Sequence, residues 1–326
     1  MNRIENILFD NLKNFNLLDK KLLVGFSGGP DSTALILALN ELANEKNDLY
    51  FEAFHVNYGL RKESYKDQEF VEKICNDLNI KLAIKEIDFK IKSKSEDNLR
   101  NIRYKLMSSH ILDNGLYCLL TGHNLNDHVE TFLMKLSRGT GLKGMEGLKY
   151  LSTLSEYNNL KILRPFIDIK KIELFDYCIS NKVTPINDIS NKDNKYSRNR
   201  IRNRIIPELE KLNPELLNTI NRLTKIINEQ NMYQNKLINK KFEKIKVIEK
   251  FNEISFNRKE FNELEEIEKK LILKSKCESL SKLVFIEKKH LDIIVEKCLS
   301  KNNNFSLDMP GPVTIKVNRE QITLKL

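Results

Sequence analysis

The residues best suited to chemistry lie near the N-terminus, in the stretch Val24-Gly25-Phe26-Ser27-Gly28-Gly29-Pro30-Asp31-Ser32-Thr33. An apolar run precedes this stretch and an apolar helical pattern follows it, which predicts a strand, a glycine turn and a helix N-terminus. Gly28 and Gly29 leave backbone N–H groups open to a ligand, and the helix start adds unpaired N–H groups. We therefore predict an anion-binding site, with further hydroxyl donors at Ser27 and Ser32.

Asp31 narrows the identity of the anion. The common phosphate-binding loop ends in a Lys-Ser/Thr pair, whereas this loop carries a carboxylate, which repels phosphate unless a metal ion lies between them. We therefore predict Mg²⁺ at Asp31, bridged to a polyphosphate. The alternative is a Gly-Gly hairpin ahead of a helix that Ser32 caps, without a ligand.

The pattern Ser-Gly-Gly-x-Asp-Ser at 27–32 resembles the PP-loop ATP pyrophosphatases, which split ATP between the α and β phosphates and leave an adenylated intermediate. The resemblance implies a parallel-sheet α/β fold of the adenine-nucleotide alpha hydrolase-like type. It also implies the loop residues that bind ATP, namely Ser27, Gly28, Gly29, Pro30, Asp31 and Ser32.

Strands and helices alternate through the first part of the chain and would position these residues. Strands are predicted at 21–26, 50–56, 80–87 and 116–121, and helices at 3–15, 32–43, 64–78, 97–113 and 125–136. This alternation predicts βαβ units and a parallel sheet covered on both faces. Because ligands of such sheets bind beyond the carboxyl ends of the strands, we expect functional residues directly after the strands.

The segment His55-Val56-Asn57-Tyr58-Gly59-Leu60-Arg61, after the second strand, sharpens the resemblance. It is similar to the His-Val-Asn-His-Gly-Leu-Arg segment of tRNA(Ile)-lysidine synthases, with Tyr58 in place of the second histidine. The resemblance implies that His55 and Asn57 bind the nucleotide. A polar loop closed by Gly59 is the alternative.

Arg100 and Arg103 lie on the helix that follows the third strand. Their spacing of three residues puts them on one helix face, and a solvated basic face is the plain interpretation. They match the family's Ala-Arg-x-x-Arg-Tyr segment, with Leu99 in place of alanine. The resemblance implies a catalytic role for both arginines, near the phosphates or the tRNA.

Three polar residues on the next helix, His123, Asp127 and Glu130, are spaced to face one cleft. His123 suits phosphate contact or proton transfer near neutral pH, and the acid pair suits a second Mg²⁺ or a cationic amine. The segment resembles the family's Gly-His-x-x-x-Asp-x-x-Glu-Thr motif. This implies that Asp127 and Glu130 bind lysine and that His123 is catalytic, while a plain helix surface stays an alternative.

Two arginine-containing segments follow further along the chain. Arg138 opens a glycine-rich segment similar to the family's Arg-Gly-x-Gly-x-x-Gly. Arg198, Asn199 and Arg202, with 188–191, resemble its Asp-x-Ser-Asn…Arg-Asn-x-x-Arg pattern. The resemblance implies tRNA contacts for Arg138, Arg198 and Asn199 and an ATP contact for Arg202, since arginines four residues apart on a helix grip phosphates well. A flexible linker and a surface charge run are the alternatives.

The residue composition of the chain changes after the segment 207–214. A long Lys/Asn-rich helix at 216–242, helices at 258–276 and 286–299 and a β-hairpin tail are predicted. We expect a catalytic domain at 1–208, a mainly helical, tRNA-binding domain at 209–302 and the hairpin at 303–326. A packing or homodimerisation domain is the alternative for the region after 208.

Composition places the protein in a broad class. The chain of 326 residues has 31% charged residues and a formal charge of +10, which favours a polyanionic partner such as RNA. No apolar run reaches membrane-spanning length and no signal peptide is evident. Five separated cysteines without a Cys-x-x-Cys pair indicate a reduced, cytoplasmic protein without zinc or an iron–sulfur cluster.

The resemblance as a whole implies a tRNA(Ile)-lysidine synthase, a ligase that forms a C–N bond. With ATP and Mg²⁺ such an enzyme adenylates the wobble cytidine of a CAU-anticodon tRNA(Ile), and L-lysine then displaces AMP. Three rivals are a tRNA thiolase, which would need catalytic cysteines, an amidotransferase-type synthetase, which should not need the arginines at 198–204, and an RNA-binding protein with an inactive ATP site. The intact loop and His123 argue against the last.

Overall fold

The computed structural model describes residues 1–326 except 46–48, 60–63, 88–94, 187–196, 244, 246, 282–283, 285 and 301–303. Leu60, Arg61 and the motif at 188–191 therefore lie outside the described residues. The chain forms two compact units, Met1–Asn228 and Glu229–Leu326. The functional domain limits expected from the sequence, at 208 and 302, stay a prediction.

The first unit contains a six-stranded sheet. In chain order its strands are β1 (Leu22–Gly25), β2 (Phe51–Asn57), β3 (Leu82–Glu86), β4 (Cys118–Leu120), β5 (Leu151–Leu154) and β6 (Leu160–Leu163). They lie in the order β3-β2-β1-β4-β6-β5, and all neighbours pair in parallel except β5 and β6. The four strands predicted from the sequence are β1 to β4, so the α/β fold class is confirmed.

Helices cover the sheet of the first unit. They are α1 (Arg3–Asn14), α2 (Pro30–Glu45), α3 (Ser64–Asp77), α4 (Glu96–Asp113), α5 (Leu125–Ser137) and α6 (Lys171–Ser180). Side chains alternate along β1, so Leu22 and Val24 join one apolar cluster and Leu23 joins another. All three are fully buried, as expected for a strand covered on both faces.

The short helical elements that follow α6 carry several arginines. The short helix α7 (Ser197–Arg200) passes into a π-helical turn at Ile201–Ile205 and then into α8 (Ile206–Leu212). The long helix α9 (Leu216–Phe242) follows, as predicted. π-helical turns are rare and frequently occur at functional sites, and this turn carries Arg202.

The second unit combines helices with an antiparallel sheet. Its helices are α10 (Arg258–Asn262), α11 (Glu266–Leu280) and α12 (Lys288–Leu299), so the single helix predicted at 258–276 is in fact two. Strands β7 (Val247–Lys250), β8 (Glu253–Asn257), β9 (Phe305–Asp308), β10 (Thr314–Val317) and β11 (Gln321–Lys325) lie in the order β7-β8-β11-β10-β9. The predicted tail hairpin is present as β10 and β11.

Strands β7 and β8 were not predicted from the sequence. Their hydrophobic pattern is weak, because only Ile254, Ser255 and Phe256 of β8 are buried and β7 is largely exposed. Pairing of β8 with β11 places Ile254 opposite Leu324 in the core of this unit.

Among the residues that the structure describes, no helix is long and apolar enough to cross a membrane.

Candidate active site

A cavity of about 1070 Å³ lies at the carboxyl ends of β1, β2 and β4. Gly25 and Phe26 reach it from β1, His55 and Val56 from β2, and Thr121 from the residues after β4. This is the edge at which ligands of parallel sheets bind. Most residues that the sequence singled out line this cavity, namely Ser27, Gly29, Pro30, Asp31, Ser32, His55, Arg100, Arg103, His123, Asp127, Arg198, Asn199 and Arg202.

The Ser-Gly-Gly bend is held by hydrogen bonds between its own residues. The Ser32 hydroxyl donates to the Gly29 carbonyl at 3.1 Å and lies 3.1 Å from the Ser27 hydroxyl. It also accepts the Ser27 N–H at 3.2 Å. Gly28 has φ +82°, and a Cβ there would come within 2.7 Å of the Ile186 side chain, so the bend requires glycine at this position.

Asp31 lies in the first turn of α2, beside the bend. Its Oδ1 is buried and has no hydrogen-bond partner among the described residues. Burial, and next the charge of Asp127, raise the pKa of Asp31 from 3.8 to about 7, whereas Lys171 lowers it. A carboxylate oxygen left without a partner beside a second carboxylate fits a divalent cation.

A metal ion bound here would need ligands from outside the protein. Within the described ranges, no cluster of three or more His, Cys, Asp or Glu side chains could hold a metal ion. Mg²⁺ commonly takes one or two carboxylates and completes its shell with water and substrate phosphates. Asp31 therefore fits Mg²⁺ that arrives with a polyphosphate, as predicted from the sequence, rather than a metal ion held by the protein alone.

One wall of the cavity combines a buried histidine with two arginines. The His55 ring is 4% exposed, and its Nδ1 lies 2.9 Å from the Phe26 carbonyl oxygen. Burial lowers the pKa of His55, so its ring is neutral at pH 7. Arg100 and Arg103 both lie over the Tyr104 ring, at 5.4 and 5.6 Å from its centroid. The two guanidinium groups therefore have fixed positions on the cavity wall.

His123 and Asp127 line the cavity at the start of α5. Asn124 caps this helix, accepting the Asp127 N–H while the Asp127 carboxylate accepts the Asn124 N–H, each at 3.1 Å. The His123 Nδ1 lies 2.7 Å from the Thr121 hydroxyl. Burial lowers the pKa of His123 to about 3, so its imidazole is neutral at pH 7 and weakly basic in the site as described.

Glu130 lies behind Asp127 and is held by two arginines. Its side chain is 1% exposed, and it accepts hydrogen bonds from Arg198 Nε at 2.7 Å and from Arg202 Nε and Nη2 at 2.5 and 2.9 Å. Arg198 Nη2 also donates to Asp127 Oδ1 at 2.9 Å. Buried ion pairs with several hydrogen bonds are costly to break, so this group of four residues, which we call the arginine–acid cluster, is a fixed part of the site.

Four residues selected from the sequence do not line the cavity. Gly28 lies against the Ile186 side chain, and Glu130 is buried against Arg198 and Arg202. The Asn57 side chain donates to Gln68 at 2.8 Å and accepts the Gly59 N–H at 2.8 Å. Arg138 is exposed at the end of α5. Binding roles for these residues stay predictions.

Several cavity residues were missed from the sequence. Lys171 lines the cavity at the start of α6, and its Nζ lies 4.0 Å from Asp31 Oδ2. Tyr104 and Met107 from α4, and Ile172 and Phe175 from α6, add apolar wall. The sequence could have indicated Lys171, because it lies at the start of a helix that follows an apolar strand. Asp31 has the same kind of position. The apolar residues carry no such signal, since their types are also typical of a core.

None of the five cysteines lines the cavity, although Cys178 Sγ donates a hydrogen bond to the Pro30 carbonyl at 3.4 Å. All five, Cys75, Cys118, Cys178, Cys277 and Cys298, are buried and free. Burial raises the pKa of each thiol from 9.0 to about 12. Thiols of this kind are poor nucleophiles and poor metal ligands at neutral pH.

Comparison with known proteins was made for the whole chain. A family model described as a PP-loop domain matches residues 2–209. A tRNA(Ile)-lysidine synthase of Clostridium perfringens is 34% identical over 283 residues, which cover 84% of this chain and 58% of that protein. One of Clostridioides difficile is 29% identical over 323 residues, covering 95% of this chain and 68% of that protein.

The chain spans less than two thirds of the length of the Clostridium perfringens relative. A tRNA(Ile)-lysidine synthase of Legionella pneumophila is 38% identical over 203 residues, 62% of this chain and 46% of that protein. Among solved structures, the U34-tRNA thiolase NcsA from Methanococcus maripaludis with its [4Fe-4S] cluster matches with a TM-score of 0.56 and 20% identity, over 69% of this chain and 78% of that one. This last likeness concerns the fold alone.

Proposed function

This chain belongs to the PP-loop domain family, and on that premise we propose that it is an ATP-dependent tRNA(Ile)-lysidine synthase. The proposed substrates are ATP, L-lysine and a tRNA(Ile) with a CAU anticodon, and the proposed products are lysidine-containing tRNA, AMP and pyrophosphate. The similarity to tRNA(Ile)-lysidine synthases over 84–95% of the chain supports this assignment. We expect it to act in the cytoplasm.

One observation carries the proposal. The Ser-Gly-Gly bend with Asp31 and the acid side chain of Asp127 open into one cavity of about 1070 Å³. Ligand pockets usually have volumes of about 300–1,000 Å³, so the cavity is large enough for a nucleotide, with the acid side chain of Asp127 in the same space. A site that activates one substrate and then joins it to an amine needs this juxtaposition.

The bend and the arginines are proposed to bind the triphosphate. Ser27, Gly29 and Ser32 offer backbone N–H and hydroxyl donors, and Asp31 would hold Mg²⁺, which supplies charge neutralisation when bound. His55 lines the cavity at the end of β2 and is proposed to contact the adenosine. Arg100 and Arg103, fixed over Tyr104, stabilise the negative charge that grows on the leaving pyrophosphate.

The chemistry has two steps. The carbonyl oxygen on carbon 2 of the cytidine attacks the α-phosphorus, and the bond to the bridging oxygen breaks with its electron pair leaving on pyrophosphate. The ε-amine of lysine then attacks carbon 2, and AMP leaves with the oxygen. The amine must lose a proton, and His123, which lines the cavity, is proposed to accept it.

The acid pair is proposed to receive the substrate ammonium. Asp127 would do so directly, because it lines the cavity. Glu130 would contribute from behind, through its charge and through the arginines it holds. Arg138, Arg198 and Asn199 are proposed to contact the tRNA, and Arg202 the ATP phosphates.

A thiolase function has no support in the cysteines, which are buried with raised pKa values. The test of the proposed function is the identity of the ATP products. With minor tRNA(Ile) transcript and lysine present, we expect AMP and pyrophosphate in equal amounts, and Asp31→Ala should lower their rate of formation about 10²–10³-fold. Formation of ADP and phosphate, or a rate independent of tRNA, would reject the proposal.

A further inference from the structure

Lys171 lines the cavity, but none of the roles proposed above involves it. It is the first residue of α6, and its backbone N–H donates to Asn126 Oδ1 at 3.0 Å, which fixes the helix start beside α5. Its side chain is 39% exposed and lines the cavity. Its Nζ lies 4.0 Å from Asp31 Oδ2, too far for a hydrogen bond.

Lys171 and Asp31 approach each other outside the arginine–acid cluster. In the arginine–acid cluster the formal charges of Asp127, Glu130, Arg198 and Arg202 sum to zero, and short contacts join them. Among the cations that lower the pKa of Asp31, Lys171 has the largest effect. In the described part of the chain, its ammonium donates no hydrogen bond. It therefore keeps its donors for another acceptor.

A divalent cation on Asp31 would change this balance. Mg²⁺ would neutralise the carboxylate that now attracts Lys171, and like charges repel. The ammonium would then lie free beside a triphosphate in the Ser-Gly-Gly bend. An ammonium is a compact point charge suited to phosphate oxygens.

We propose that Lys171 is a polyphosphate-binding residue, which exchanges Asp31 for the β- and γ-phosphates when ATP and Mg²⁺ enter the cavity. This inference rests on the proposed function, because it needs ATP in the bend. During adenylation Lys171 stays protonated, and its charge stabilises the pyrophosphate that takes the electron pair of the broken bond.

The adjacent lysine provides a matched control. Lys170 has the same charge and side chain, but its Nζ lies 4.0 Å from Glu215 and it does not line the cavity. The variants are Lys171→Met, Lys171→Arg and Lys170→Met, each in the full chain. Melting temperatures of the three proteins without ligand check that they fold.

The measurement is calorimetric binding of Mg²⁺ with α,β-methylene-ATP, and of AMP alone. Lys171→Met should weaken binding of the analogue about 10–100-fold, because a hydrogen bond to a charged group is lost. AMP lacks the β- and γ-phosphates, so its affinity should change less than about 3-fold. Lys171→Arg should restore most of the loss, and Lys170→Met should bind as the wild type does.

Two results would overturn the inference in distinguishable ways. Equal analogue affinity for Lys171→Met and the wild type, or equal losses for the analogue and AMP, would reject Lys171 as a polyphosphate ligand while ATP binding stands. Failure of the unaltered protein to bind the analogue would reject the proposed function itself.

Discussion

Asp31 combines a proposed functional role with an unfavourable burial of its charged carboxylate. Its carboxylate is needed for Mg²⁺ in the proposed reaction, yet its surroundings disfavour the charged form and raise the pKa to about 7. Strained or destabilised groups of this kind are typical of functional sites. The sequence predicted the residue and its role, but not the cost, because the pKa shift depends on burial and on the neighbouring Asp127.

The first prediction follows from this pKa. Between about pH 4 and pH 7 the folded protein binds more protons at Asp31 than the unfolded chain does, so Asp31 lowers stability increasingly as the pH rises through that window. Asp31→Asn should therefore raise the free energy of unfolding at pH 8 by up to about 4 kcal/mol, with little change near pH 4. Urea unfolding without Mg²⁺ or nucleotide measures it. The exposed Asp176 of α6 supplies the control, Asp176→Asn. An unchanged pH profile for Asp31→Asn would contradict the placement of Asp31.

The second prediction separates the members of the acid pair. Asp127 lines the cavity, whereas the Glu130 carboxylate is buried and holds Arg198 and Arg202. Asp127→Asn should raise the KM for lysine about tenfold or more and leave tRNA-dependent pyrophosphate release largely intact. Glu130→Gln should impair both lysine use and pyrophosphate release, because both arginines lose their anchor. Steady-state kinetics with each substrate varied in turn make the measurement. If Glu130→Gln affected the lysine KM alone, direct contact between Glu130 and lysine would be the better account.

At the scale of the elements, the site depends on how closely the strand ends and helix starts approach one another. Gly122, after β4, lies against the first turn of α2, and a Cβ there would come within 2.6 Å of the Asp31 backbone. The π-helical turn at Ile201–Ile205 has a similar positioning role, because it carries Arg202 toward Glu130. Both features place side chains that the sequence alone could only assign to one cleft.

The third prediction tests this close approach. Gly122→Ala should lower the free energy of unfolding by about 1–3 kcal/mol, because the added methyl group meets backbone rather than a flexible side chain. It should also reduce pyrophosphate release, since the Asp31 turn must shift. Gly141→Ala is the matched control, because nothing lies within 4 Å of a Cβ there. Equal stability of the two variants, by thermal unfolding, would show that the approach is not as close as described.

The sequence predicted the elements of the first unit better than those of the second. Strand β1 is a short apolar run and β2 a largely apolar one, each followed by glycine or polar loop residues, and their positions were predicted. The π-helical turn was not predicted. Arg202 within it and Arg198 just before it contact Glu130 of α5, which is distant in the chain and leaves no local sequence signal. The break between α10 and α11 carries no glycine or proline to mark it.

At the scale of the whole molecule, the formal charge of +10 should make tRNA binding electrostatic. The fourth prediction is that the affinity for minor tRNA(Ile) falls at least about tenfold between about 50 and 200 mM salt, as filter binding would record, since several phosphates would be contacted. Arg138→Gln, at an exposed position, should reduce the salt slope. A flat salt response would exclude a phosphate-gripping surface.

The role of the second unit remains a prediction from the resemblance. Its core is complete in itself, with Phe256, Phe261 and Ile315 among its buried residues. A role in tRNA binding is expected from the resemblance, with packing or homodimerisation as the alternative, and truncation after the first unit would separate them.

The central claim is that one cavity activates a cytidine with ATP and joins it to lysine. Transfer of label from radioactive L-lysine to tRNA tests it most directly, with a minor tRNA(Ile) transcript and a transcript in which the wobble cytidine is replaced by uridine. We predict label in the first transcript, dependent on ATP and Mg²⁺ and absent from the second. Failure to label the first transcript while ATP is cleaved to AMP and pyrophosphate, or equal labelling of both, would contradict the account.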